Sequence, residues 1–483
     1  MRSLRWTRHA LVGVVAAVLV VMSVPAAQAD TDDVPAPPSP TAPCDAVSPI
    51  AIPCIVLNKV VDAVAAECRR ARVPDRLCRL PLAHRVTQAG RNAYLQSWAH
   101  QVAQFQYRLG DPLPLREAQW IGTHNSFNSL ADSFTVSHAD SNQQLSLTQQ
   151  LDIDVRSIEL DLHFIPRLGL FGARGVTVCH GQGPELGDVG CTFEPLFSRV
   201  LPKIATWLKA HPTEVVLLYL EDEMKNAKAY PSVIATLDAV LKRSNGTSMI
   251  YRPDPADKAA NGCAPMPLDV SRDDIRAAGA QVMLVGSCAP GWSANVFSWD
   301  DTHVESGSTS GYQPFPQCDA TYGDDVYASQ MVRYFEDTTL VSALLDPTRP
   351  PVDPEALTPK KVQLMTQCGV NLFGLDQILP EDGRIQATLW SWAPDEPKVG
   401  AGHCTLQDGD GRWVAALCTD SHPAACSDDG STWTLTNPVA FADAAAACAA
   451  LGSDFSLPRA GDQNARLHAA AGASGAWIDY AIP

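Results

Sequence analysis

Between residues 120 and 375 the chain keeps one rhythm, in which short apolar runs of strand-forming residues alternate with longer stretches of helical periodicity. Runs at 120–122, 157–164, 176–179, 215–220, 282–285, 296–299 and 371–375 read as strands, and 197–209, 232–243 and 329–345 read as helices. Strands separated by helices pair in parallel through crossover connections, so this region predicts an α/β fold with a parallel sheet. The strand count fits a closed (β/α)8 TIM-type barrel with one strand unrecognised. An open doubly wound sheet is the alternative, but it calls for a glycine-rich phosphate turn after the first strand, and the sequence has none there.

Polar residues gather where these strands end. Thr123-His124-Asn125-Ser126 closes the first, Glu159-Leu160-Asp161 the second, Cys179-His180-Gly181 the third and Glu221-Asp222 the fourth. In a parallel barrel that rim is where active sites are built. Strand parity places Glu159 and Asp161 on one face and Ile158, Leu160 and Leu162 on the other, so both carboxylates are expected to face the barrel axis with Glu221 beside them. Like charges this close in a low dielectric require a cation or raised pKa values. Arg156 shares the parity of Ile158 and is expected to face away. Three carboxylates and the Asn125 amide oxygen make an all-oxygen donor set suited to calcium, with magnesium the weaker match. Zinc would instead recruit His124 and His180. Left unligated, those histidines flank the cation as a pair able to give and take protons. Of the other histidines, His138 and His163 are expected in loops or solvent, and His211 before Pro212 ends a helix.

Charge and cysteine content bound the remaining possibilities. The 36 basic residues stand against 53 acids, a formal charge of -17, which argues against a partner recognised by phosphate neutralisation such as nucleic acid. Residues 1–29 carry three arginines, an apolar stretch and Ala27-Gln28-Ala29, the pattern of a cleaved signal peptide rather than an anchor, and predict a secreted chain. No second apolar run reaches spanning length. The 14 cysteines, none in a C-x-x-C pair, fit disulfides formed after export, with pairing inside the clusters Cys44, Cys54, Cys68, Cys78 and Cys404, Cys418, Cys426, Cys448. The expected organisation is a signal peptide (1–29), a flexible leader (30–43), a helical disulfide-stapled section (44–110) with helices at 55–72 and 85–107, the barrel (111–385) and a small disulfide-rich module (386–483) holding five of the 11 tryptophans. Asp408-Gly409-Asp410-Gly411 lacks the glutamate of a calcium loop and reads as a turn.

The motifs His124-Asn125, Ile158-Glu159-Leu160-Asp161, His180-Gly181 and Leu218-Tyr219-Leu220-Glu221 resemble the catalytic half of the phosphatidylinositol-specific phospholipases C, in their calcium-dependent form. Asn371-Leu372-Phe373-Gly374-Leu375-Asp376 resembles that barrel's closing strand. The resemblance implies that Asn125, Glu159, Asp161 and Glu221 hold Ca²⁺ against a phosphate oxygen and the inositol 2-hydroxyl. It implies that one of the acidic ligands or a neighbour takes the hydroxyl proton, that His124 hydrogen-bonds the phosphorus transition state, and that His180 protonates the departing diacylglycerol oxygen. The product would be a cyclic inositol phosphate, and the substrate a phospholipid met transiently at a membrane surface. Residues 281–287 lack the lysines of members that act on polyphosphorylated inositides.

The tail, from Ala440-Phe441-Ala442-Asp443 through Cys448, Leu457-Pro458 and Trp477-Ile478-Asp479, resembles an α+β C-type lectin-like module without its sugar-binding triplet, leaving a glycan or a protein as ligand, or a structural cap. Competing readings are a glycerophosphodiester phosphodiesterase, a sphingomyelinase-D-like enzyme, and a non-catalytic protein that binds a surface through the tail.

Overall fold

The computed structural model describes residues 88–129, 131, 141–166, 174–181, 191, 194–300, 302–305, 312–318, 329–336, 357–380 and 383–483. The readings placed on 1–87, including the leader, the helix at 55–72 and the first cysteine cluster, lie outside the described residues, as does His138.

Ten strands form the main sheet: β1 (Trp120–Thr123), β2 (Ser157–Pro166), β3 (Arg174–Val178), β4 (Val216–Asp222), β5 (Ile250–Tyr251), β6 (Val282–Gly286), β7 (Phe297–Ser298), β8 (His303–Glu305), β9 (Met331–Phe335) and β10 (Leu372–Leu375). They run in the order β5-β6-β4-β2-β1-β10-β9-β8, every neighbouring pair parallel, with β7 continuing along the free edge of β6. Beyond β7 the Trp299 N–H donates to Gly286 O of β6, and before β8 the Thr302 O accepts the Met331 N–H of β9. The parallel, curled sheet is therefore as expected, but among the described residues no ladder joins its two ends, so in place of the expected closed (β/α)8 barrel it is a curled half-barrel sheet.

The run at 176–179 is not a barrel strand, because β3 pairs antiparallel with β2 (Leu162 opposite Val178), and the connection between them is too short for a parallel crossover. The segment 329–345 is not a helix over 331–335. Met331–Phe335 is strand β9, inserted between β8 and β10, and its Met-Val-Arg-Tyr-Phe sequence alternates between two environments in the two-residue period of a strand. With the short strands β5 and β8, it is one of three parallel strands absent from the sequence reading.

Helices α1 (Gln88–Leu95), α2 (Trp98–Leu109), α3 (Leu147–Asp152), α4 (Phe197–Ala210), α5 (Tyr230–Val240), α6 (Arg272–Ala277), α7 (Pro359–Gln367) and α8 (Gly383–Ala387) accompany the sheet. The single helix expected at 85–107 is two, because Ser97 takes an extended conformation and caps α2 by accepting the His100 N–H at 3.2 Å. Alternation divides the core. Ile158, Leu160, Leu162, Leu218, Leu220 and Leu284 point outward to the helices, while Trp120, Leu217, Met283, Val285, Met331 and Leu372 fill the interior of the sheet. Burying side chains of this size stabilises by about 1.5–3 kcal/mol each.

The tail holds a three-stranded antiparallel sheet, β12-β11-β15, from β11 (Cys404–Gln407), β12 (Trp413–Ala416) and β15 (Ala476–Ala481), with a small pair β13 (Ala425–Cys426) and β14 (Thr434–Leu435) and helices α9 (Ala444–Ala449) and α10 (Gly461–Ala471). Asp408 to Gly411 makes the β11–β12 turn, the Asp408 Oδ1 accepting the N–H groups of Asp410 and Arg412. Trp392, Trp413 and Tyr480 surround Phe105 of α2 at centroid distances of 5.9, 5.8 and 5.2 Å. Trp390, Trp392, Trp413 and Trp477 are buried, so these rings serve the core. Disulfides join Cys179–Cys191, Cys263–Cys288, Cys318–Cys368, Cys404–Cys418 and Cys426–Cys448, pairing sequence neighbours as expected for the C-terminal cluster.

A Cβ on Gly122 would lie 2.8 Å from the Phe373 carbonyl oxygen and 2.9 Å from the Ser157 Cβ, where β1 meets both neighbours. Gly122→Ala is expected to destabilise the protein by about 1–3 kcal/mol, read as a lower denaturant midpoint at unchanged slope. Gly246, which has nothing within 4 Å of such an atom, is the open-space comparison, its own cost arising from its φ of +85°.

Candidate active site

The rim of the sheet at the C-terminal ends of β1, β2, β4 and β10 is polar because strand parity brings the same face of each strand inward. On β1, Trp120 and Gly122 face the interior and His124 follows in the same phase. On β10, Leu372 and Gly374 do so and Asp376 follows. The register Trp120↔Leu372 and Gly122↔Gly374 therefore sets His124 beside Asp376, and His124 Nδ1 lies 3.3 Å from the Asp376 carboxylate. Asp161 is paired with Glu221 across β2 and β4.

Glu159, Asp161 and Glu221 each place a carboxylate oxygen within 4.8 Å of the other two. Glu159 and Asp161 are each 4% exposed, whereas Glu221 is half-buried. Asn125, in the left-handed region at φ 44°, donates its backbone N–H to Glu159 Oε2 at 2.8 Å. The Asn125 amide has two orientations: with its nitrogen 3.1 Å from His124 Nε2 its oxygen faces the Asp161 carboxylate, where a cation would meet it, and turned over its nitrogen donates to Asp161 at 2.8 Å and its oxygen accepts from His124 Nε2 at 3.1 Å. Ser126 Oγ accepts the Glu159 N–H at 2.9 Å and contacts Thr123 Oγ1 at 2.7 Å, which in turn donates to Gln150 Oε1. The turn is thus tied to the strand that carries the acids.

Burial, then the pull of His124 and the repulsion of Glu221, act on the Glu159 carboxyl, and the net effect raises it to about 7. Burial followed by repulsion from Glu221 and Glu159 holds Asp161 well above the usual carboxylate range. Such a cluster keeps protons or takes up a cation. Oxygens no more than 4.8 Å apart can surround one ion at metal–oxygen distances of about 2.4 Å, so the three carboxylates could hold a divalent cation, and their all-oxygen chemistry suits a hard ion such as calcium.

His180 reaches the rim by a different route from the one expected. It follows the hairpin strand β3, where the Cys179 N–H donates to Asp161 O at 3.3 Å, and its Nδ1 lies 3.2 Å from the Asn128 amide nitrogen. Asn128 belongs to the turn after β1, its N–H donating to Asn125 O, so both histidines are attached to one turn. His163, expected in solvent or loop, is fully buried on β2 in the phase of Glu159 and Asp161. It lies against Cys179 and Cys191, whose disulfide removes them as thiolate ligands. Arg156 faces away as expected, donating to Glu214 at 2.7 Å and to Leu151 O, with its guanidinium 4.8 Å from the Trp207 ring.

Several residues escaped the sequence reading. Arg333 on β9 lies inside the sheet, its guanidinium 4.8, 5.0 and 5.6 Å from the rings of Phe335, Trp299 and Tyr219, and its charge favours ionised Glu159. Misreading β9 as a helix hid it. Gln143 donates to His124 O at 2.7 Å and to Leu375 O at 2.8 Å, bracing β1 against β10. Asp376 could have been found by counting two residues on from Gly374.

In chelator, Asp161→Asn is expected to raise Tm by roughly 2 °C or more, because it removes a charge that burial and two acids disfavour. The native carboxyl holds its proton where the unfolded one has lost it, so its contribution to stability falls as pH rises above the ordinary carboxylate range, and the variant's advantage grows from pH 4 toward 7. Thermal unfolding across that range measures it.

A protein-family model described as "Rv2075c PI-PLC-like domain" matches residues 79–382. Two Mycobacterium tuberculosis proteins, "Uncharacterized protein Rv2075c" of strain H37Rv and "Uncharacterized protein MT2135" of strain CDC 1551, are each 66% identical over 484 residues, covering 99% of this chain and of their own. Among solved structures, a phosphatidylinositol-specific phospholipase C from Listeria monocytogenes is 17% identical, with 59% of this chain and 97% of that one covered at a TM-score of 0.37. A calcium-dependent phosphoinositol-specific phospholipase C from a Pseudomonas species is 13% identical, with 57% and 93% covered at 0.31. By the family match and the two mycobacterial relatives, the chain belongs to the Rv2075c PI-PLC-like domain family.

Proposed function

We propose that this protein is a secreted, calcium-dependent phosphodiesterase that cleaves the head group of a phospholipid, with phosphatidylinositol as substrate and diacylglycerol and a cyclic inositol phosphate as products. The observation that carries the reading is the meeting, at one sheet rim, of an all-oxygen anionic cluster with two histidines held on a single turn. Membership of a PI-PLC-like family supports the same reaction class.

Asn125, Glu159, Asp161 and Glu221 are the residues that would hold Ca²⁺. When bound, the ion supplies charge neutralisation at the phosphate and a lower pKa for the attacking hydroxyl. With the Asn125 amide oxygen turned to the acids and the ion, its nitrogen faces His124 Nε2; His124 then carries its proton on Nδ1, beside Asp376, and Nε2 is the atom that accepts the inositol 2-hydroxyl proton, a base role that differs from the transition-state hydrogen bond implied by resemblance. The 2-hydroxyl oxygen forms a bond to phosphorus, the bond from phosphorus to the glycerol oxygen breaks, and His180 donates a proton to that oxygen. Among the described residues no helix is long and apolar enough to cross a membrane, so on this reading the lipid is reached from the aqueous side.

Phosphatidylinositol vesicles incubated with the protein, with and without EGTA, test the reading by product analysis. Diacylglycerol and cyclic inositol phosphate, formed only with calcium, are expected. Glycerol phosphate or a ceramide phosphate as product would move the protein to the glycerophosphodiesterase or sphingomyelinase-D type, and full activity in EGTA would remove calcium. His180→Ala and His124→Ala are each expected to lower kcat by about a hundredfold or more. Calorimetric calcium affinity is expected to fall in Glu159→Gln and Glu221→Gln but not in His180→Ala.

A further inference from the structure

Asp376 owes its aim at His124 to its backbone, and that backbone is held on both sides by one buried ion pair. Glu336, the residue after β9, accepts the Asp376 N–H on Oε2 at 2.7 Å and the Leu357 N–H on Oε1 at 2.6 Å, and its own N–H donates to Gly374 O at 2.8 Å. Arg384 of α8 donates one nitrogen to Glu336 Oε2 at 2.5 Å and another to Asp376 O at 2.7 Å. Glu336 and Asp376 are fully buried and Arg384 is 2% exposed.

A buried ion pair is a poor general stabiliser, since desolvation offsets most of its attraction. Here, however, both of its members reach the same residue, one at the N–H and one at the carbonyl. That fixes the peptide planes on either side of the Asp376 Cα and with them the direction of its side chain. We propose that Glu336 and Arg384 are positioning residues that hold Asp376, and through it the His124 imidazole, in register for proton transfer. The inference rests on the base role given to His124 above. Neither residue lies on the strands that carry the calcium-binding set, so the two functions of the rim separate.

The test uses Glu336→Gln, which keeps the shape and an acceptor oxygen but loses the charge, and Arg384→Lys, which keeps the charge but loses the forked reach. Both are measured alone and in an Asp376→Asn background. Each single variant is expected to lower kcat on phosphatidylinositol vesicles about ten- to a hundredfold with KM within about twofold, the range typical of misplaced acid–base groups. Calorimetric calcium affinity is expected to stay at the wild-type value. In Asp376→Asn either second change is expected to cost almost nothing further, because the position it protects is already lost. The downfield Nδ1 proton of His124 in 15N-histidine spectra, identified by its loss in His124→Ala, should shift in Glu336→Gln as it does in Asp376→Asn. An unmoved resonance with unchanged kcat, additive losses in the double variants, or loss of calcium affinity in step with activity would overturn the assignment. If the wild-type protein cleaves no phosphatidylinositol, the resonance still decides the positioning role while the proposed reaction fails.

Discussion

Three carboxylates converge where the sheet opens, and nothing in ordinary folding energetics favours that. Glu221 follows Leu217 and Tyr219 on the inner face of β4, while Glu159 and Asp161 share the inner face of β2 with Ser157 and His163, so the acids crown an interior that is apolar on one strand and polar on the next. The cost of keeping like charges there is set against the tight hydrogen bonding of the turn after β1, which supplies the Asn125 N–H to Glu159 and joins Ser126 to the same strand. A site of this kind stores unfavourable electrostatics in a rigid frame, and a divalent ion or protons relieve them.

The frame is rigid for reasons that lie away from the acids. Gly122 and Gly374 are opposite one another in β1 and β10, and the absence of side chains there lets the strands approach and leaves room for the Phe335 ring. Gln143 then spans the ends of both strands. Behind them, Glu336 and Arg384 bind the backbone of Asp376. Such buried polar networks are sound only when their members are satisfied, and here the partners are mostly backbone groups at strand ends, which would otherwise be left without ladder partners. The fold closes its strand ends and orients its proton-transfer residues with the same hydrogen bonds.

The tail contributes differently. Its tryptophans pack on Phe105 and with one another, and Gln106 of α2 accepts the N–H groups of Trp390 and Ser391. Helix α2 is therefore shared between the sheet and the tail, and the aromatic richness of the C-terminal residues reflects that junction more than a ligand surface.

What the sequence determined by itself was whatever depends on local periodicity. Alternation in Ser157–Pro166 and Val216–Asp222 was enough to put Glu159, Asp161 and Glu221 on the inner face and Arg156 on the outer one, because a strand's side chains alternate whatever it pairs with. Tertiary structure decided the rest. Met331–Phe335 has a composition compatible with either element, and only the slot between β8 and β10 makes it a strand and turns Arg333 inward. His180 reaches the rim through a hairpin that pairs back on β2, and Asp376 meets His124 across 252 positions of sequence. Contacts of that range are set by register between strands, which the pattern of a single strand does not encode.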